Sequence, residues 1–117
     1  MQTTSRLTQR IGDLLASLTQ RCYHYVAAPN SIPPYIVWAE DGSDNLLADD
    51  SHAEQAISGT IDLYTKKEND PLRDSIERLL DGKGFGWYFN SSQYETETGL
   101  LHFEWVCEIG GGAVGNA

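Results

Sequence analysis

The sequence predicts an α+β fold of element order α-β-β-β-α-β-β: an antiparallel-rich mixed sheet flanked by two helices, with a long loop between the second and third strands. Three observations predict it. Two segments carry apolar residues at helical spacing, and each opens on a capping side chain. The segments between and after them alternate, or run apolar, over strand lengths. A proline pair, Pro33-Pro34, and an acidic stretch, residues 40–54, divide the strands from one another.

The first helix is set by Leu7, Ile11, Leu14, Leu15 and Leu18, with Arg6, Gln9, Arg10, Asp13 and Ser17 on the other face. Thr3 or Thr4 can cap its start. Gly12 weakens its middle by about 1 kcal/mol relative to alanine and allows close packing there. A single apolar face implies docking on a sheet.

Arg21 to Ala27 reads as a strand, with Cys22, His24 and Val26 opposite Tyr23 and Tyr25. Pro29, Pro33 and Pro34 then break the chain, because proline cannot donate to a ladder. Tyr35 to Ala39 is apolar on both faces, which suits a strand inside the sheet under a helix. Ala56 to Thr65 alternates, Ile57, Gly59, Ile61 and Leu63 against Ser58, Thr60, Asp62 and Tyr64.

Asp70-Pro71 opens the second helix, whose stripe is Leu72, Ile76, Leu79 and Leu80, and Gly82 is expected to end it in the left-handed conformation. Extended segments are expected near Trp87–Asn90 and Gln93–Thr96, then a turn at Thr98-Gly99. A last strand sets Leu101, Phe103, Trp105, Cys107 and Ile109 against His102, Glu104, Val106 and Glu108.

The chain has 117 residues, enough for one core and too few for two. Residues 1–109 are expected to form a single domain and residues 110–117 a flexible glycine-rich tail. No apolar run of about 18 residues suits a membrane span, and the polar start lacks a signal core. Eight Lys and Arg against 17 Asp and Glu leave a formal net charge of −9. That balance excludes binding nucleic acid by phosphate neutralisation. It suits a partner-binding protein, or a surface that DNA slides past. Cys22 and Cys107 have no metal spacing and read as two reduced thiols, with a disulfide between neighbouring strands as the other reading.

Chemical motifs are scarce. His24, His52 and His102 have no partner at chelating spacing on a helix, so a zinc site would require distant residues to converge on folding. We expect structural or solvated histidines. No GxSxG elbow or neighbouring Cys-His pair supports nucleophilic catalysis. Gly82-Lys83-Gly84-Phe85-Gly86 follows a helix and precedes a strand, the reverse of a phosphate loop. Three tryptophans and six tyrosines suit core packing and interface anchoring better than base stacking at this charge. No catalytic residue, metal site or cofactor is therefore expected.

Residues 40–54 carry Glu40, Asp41, Asp44, Asp49, Asp50 and Glu54 with no Lys or Arg, and hold Leu46 and Leu47 as isolated apolar residues. The spacing departs from a calcium-binding EF-hand loop. A solvated negative loop and a loop ordered by a partner both remain open.

Pro34-Tyr35-Ile36-Val37-Trp38, the loop, Ile61-Asp62-Leu63-Tyr64-Thr65-Lys66-Lys67, the Asp70-Pro71 helix, and Tyr94 with Leu101-His102-Phe103-Glu104-Trp105 carry a resemblance. Over residues 4–109 the chain resembles the tail terminator (tail completion) proteins of long-tailed bacteriophages. The resemblance implies a structural virion protein of the tail neck, assembled in the host cytoplasm, that is not an enzyme. It implies a homo-oligomeric ring, a hexamer, that caps the head-proximal end of the tail tube. Such a ring stops tube polymerisation and offers the joining surface to the head completion (connector) protein. DNA passes through the lumen without specific binding, and no membrane is involved. In such a ring, Glu40, Asp41, Asp44, Asp49, Asp50 and Glu54 would face the lumen or a partner and repel phosphate. Leu46 and Leu47 would form an apolar interface, or pack back on their own domain. The alternative from another class is a monomeric acidic binder or inhibitor, of the immunity, antitoxin or nucleic-acid-mimic kind.

Overall fold

Apolar residues at three- and four-residue spacing build the helices, and alternating ones build a sheet that both helices cover on the same face. The computed structural model describes residues 3–43 and 56–110. Its elements are α1 (Thr4–Ala16), β1 (Cys22–His24), β2 (Tyr35–Ser43), β3 (Ala56–Thr65), α2 (Pro71–Gly82), β4 (Gly86–Glu95) and β5 (Leu100–Gly110). This is the α+β order expected. The sheet is mixed, ordered β1-β2-β3-β5-β4, with β1 parallel to β2 and every other pair antiparallel.

Leu7, Ile11 and Leu15 of α1 and Ile76 and Leu80 of α2 meet Ile36 and Trp38 of β2, Ile61 and Leu63 of β3, and Phe103, Trp105, Cys107 and Ile109 of β5. All are buried. Each large aliphatic side chain taken fully from water contributes about 1.5–3 kcal/mol. Two indole N–H groups reach carboxylates of α2: Trp105 Nε1 donates to Glu77 at 2.8 Å, and Trp87 Nε1 to Asp81 at 2.7 Å. The buried Trp105 indole needs such an acceptor, and with the more exposed Trp87 bond it ties α2 to the sheet.

Local capping follows the sequence closely. Thr3 accepts the Arg6 amide at the start of α1. Asp70 accepts the Leu72 amide at 2.8 Å, and its other oxygen accepts from the buried Thr65 hydroxyl at 2.6 Å. The end of α2 differs from expectation. Gly82 is still helical, and Gly84 takes the left-handed conformation at φ +78°. Phe85 N–H then donates to Leu80 and Gly84 N–H to Asp81, which closes a Schellman motif and delivers Phe85 into the core.

Three strand boundaries also differ. β1 stops at His24, because Tyr25 turns to φ +74° and ends the alternation. The two extended segments after α2 are one strand, β4, with an irregularity between Phe89 and Ser91. β2 runs on to Ser43, so Glu40 and Asp41 belong to a strand that bulges between Glu40 and Gly42. Among the described residues, no helix is long and apolar enough to cross a membrane.

Candidate functional site on the helix-free face of the sheet

Alternation places one set of strand side chains under the helices and leaves the other set on a face that no described helix covers. On that face Tyr23 of β1, Tyr35 of β2, Tyr64 of β3 and His102 of β5 form a continuous row across four strands. Tyr23 meets Tyr35 edge-on at 6.1 Å, Tyr35 stacks on Tyr64 at 5.0 Å, and Tyr64 stacks on His102 at 4.3 Å. The register makes two of these contacts, because Tyr35 opposes Tyr64 and Tyr64 opposes His102. The tryptophans divide from the tyrosines here. Trp38 and Trp105 are buried in the core, and the tyrosine row is half-buried.

Carboxylates crowd the β5 end of the row. His102 Nε2 lies 2.6 Å from Asp62 Oδ1, and its Nδ1 lies 3.5 Å from Glu95 Oε2. The Asp62 hydrogen bond holds the imidazole above its ordinary range against the effect of burial, and Glu95 and Glu104 add to it. Glu104 accepts from Asn90 Nδ2 at 2.7 Å. Ligand atoms of Asp62, His102 and Glu104 all lie within 4.8 Å of one another. Burial, and after it Asp62 and Glu95, push the Tyr64 hydroxyl up to about 12.

Spacing along the chain does not reveal this cluster, because Asp62 lies 40 residues before His102. The available signal was His102 and Glu104 at i and i+2, on one face of β5, opposite a strand that turns Asp62 the same way. Among the described residues, the expectation of no metal site meets one group of metal-type donors, assembled by the β3–β5 register.

The residues singled out by sequence fall into two groups. Glu40 does not project from a loop. Its carboxylate accepts from His24 Nε2 at 2.7 Å and from the Tyr25 hydroxyl at 2.6 Å. His24 is itself sandwiched between Tyr25 and Trp38, at 3.9 Å from each ring. Partial burial raises Glu40, but the bonds from Tyr25 and His24 outweigh it and hold the carboxyl below its usual value. Asp41 accepts from the Ser58 hydroxyl at 2.8 Å. Asp44, Asp49, Asp50, Glu54, Leu46 and Leu47 lie outside the described residues.

Apolar side chains mark both lateral edges of the sheet. Beside β1, Tyr25, Val26 and Ile32 are 56%, 74% and 67% exposed, and on β4 Tyr88, Phe89 and Tyr94 are 55%, 41% and 62% exposed. Cys22 and Cys107 are free thiols, pushed up to about 11 and about 12 by burial. No protein-family model matches the chain, and no curated protein matches it.

Proposed function

We propose that this protein is a tail-terminator-like virion subunit, which forms a closed ring on the head-proximal end of a phage tail tube. The observation that carries the reading is the pair of exposed apolar edges, Tyr25, Val26 and Ile32 at one side of the sheet and Tyr88, Phe89 and Tyr94 at the other. A head-to-tail ring is built by joining one surface of each subunit to a different surface of the next. Exposed apolar side chains at two different edges supply unlike surfaces for such a joint, although those on β4 divide between the faces of the sheet, Phe89 toward Trp105 on the helix side and Tyr88 on the other.

The remaining surfaces fit the same role. The helix-free face carries Asp62, Glu95 and Glu104, and a lumen lined with carboxylates repels phosphate and lets DNA pass. Three of the residues that carry the family resemblance, Tyr35, Tyr64 and His102, belong to the central row of this face. Action would come from surface complementarity to the tube protein on one side and the head completion protein on the other, without catalysis. The acidic face also favours a second reading, a monomeric acidic binder of a basic partner.

Native mass spectrometry over a concentration series separates the two. The ring reading expects one discrete multimer, lost on Val26→Lys at one edge and equally on Tyr94→Lys at the other. A monomer at every concentration up to the solubility limit contradicts self-assembly through these edges and favours the acidic binder.

A further inference from the structure

We propose that Asp62, His102 and Glu104 bind one divalent metal ion of the Zn²⁺ class, with Glu95 orienting the imidazole. This inference does not depend on the ring reading.

The argument starts from register. Asp62 on β3 and Glu104 on β5 are directly opposed, on the same face of an antiparallel pair. Like charges in that position repel, because their side chains are neighbours. His102, two residues before Glu104, reaches across the diagonal to Asp62. The sheet thus holds two carboxylates and a nitrogen donor together, with the donor atoms within 4.8 Å of one another.

The histidine adds a second observation. Both of its ring nitrogens face carboxylates, Asp62 at 2.6 Å and Glu95 at 3.5 Å. A neutral imidazole has one N–H and one lone pair, so it can donate to only one of them. An imidazolium can donate to both; when the Nε2 proton is lost and Nδ1–H stays turned to Glu95, the Nε2 lone pair faces Asp62, and a metal ion can take the proton's place as the 2.6 Å contact widens. A carboxylate behind a ligating histidine is the usual way a protein fixes the tautomer of a metal-bound ring. Asn90 fixes Glu104 in the same manner.

The donor set selects the ion. Imidazole with carboxylates suits Zn²⁺ and its neighbours, and three protein ligands leave a fourth position for water or a partner's side chain. Two ligand carboxylates balance the charge of a divalent ion. His102 and Asp62 are partly accessible, with 16% and 15% of their side chains exposed, so an ion can reach them. The stack on Tyr64 holds the ring in place.

The test is calorimetric titration of the chelator-treated full-length protein with ZnCl₂. The site predicts one saturable equivalent, at least tenfold weaker in His102→Gln and in Glu104→Gln, and unchanged in His24→Gln and His52→Gln. A variant-free readout is the imidazole ¹⁵N spectrum of the wild type, where Zn²⁺ should shift the His102 nitrogens alone. Absence of saturable binding, binding that survives His102→Gln, or His102 resonances unmoved by excess Zn²⁺ each overturn the proposal in favour of a plain imidazolium–carboxylate network.

Discussion

Gly12 of α1 lies against the indole of Trp38: a Cβ at Gly12 would stand 2.5 Å from Cζ2. The ring has little room to yield, because its other surroundings include the stacked His24 at 3.9 Å. Gly12→Ala should therefore destabilise the fold, although alanine favours the helix by about 1 kcal/mol. Overpacking costs about 1–3 kcal/mol, so a net loss of up to about 2 kcal/mol is expected in urea unfolding. A stabilised Gly12→Ala protein would show that α1 does not rest on Trp38.

Asp70 joins the end of β3 to the start of α2 through Thr65 and the Leu72 amide. Asp70→Ala removes a helix cap and leaves the buried Thr65 hydroxyl without its acceptor. The expected loss is about 2–4 kcal/mol, read from the denaturation midpoint. Asp70→Asn, which keeps an acceptor oxygen, should lose less.

Glu77 is the acceptor for the Trp105 indole, whose side chain is fully buried. Glu77→Ala should cost about 1–3 kcal/mol by orphaning that N–H, and Glu77→Gln should recover most of it. Equal stability of the two variants would remove the hydrogen bond from the account.

Glu40 makes acid stability a local question. Its carboxyl is held below the ordinary value of 4.5 by Tyr25 and His24. A group depressed on folding stabilises the protein above its unfolded value, and that contribution disappears as pH falls through the folded one. The stability difference between wild type and Glu40→Gln should therefore shrink as pH drops below 4.5. A difference that grows toward low pH would contradict the arrangement.

Cys22 and Cys107 should react slowly with a thiol reagent at neutral pH, since burial raises both toward the neutral thiol. Cys22, the less buried of the two, should react first, and Cys107 should become reactive only on unfolding.

Where structure depends on local spacing, it was legible in the sequence. Leu7, Ile11 and Leu15 announce the buried side of α1, Asp70-Pro71 announces α2, and the alternation of β3 and β5 announces which residues meet the helices. The close approach at Gly12 could also be anticipated, though its partner Trp38 could not. What escaped depends on register and on single backbone angles. The left-handed turn at Tyr25 shortens β1, and the irregularity at Phe89–Ser91 merges two segments into β4. Asp62, His102 and Glu104 converge only because β3 and β5 pair in one particular register. Glu40, read as part of an acidic loop, is instead bonded to two side chains from the end of β1 and the turn after it, a long-range contact invisible in its own neighbourhood.

The role we propose for this subunit is to end a tail tube. Negative-stain electron microscopy of particles from a phage lysate lacking the protein tests it most directly. Tails of uncontrolled length that fail to join heads are the predicted result. Tails of normal length joined to heads would contradict the claim.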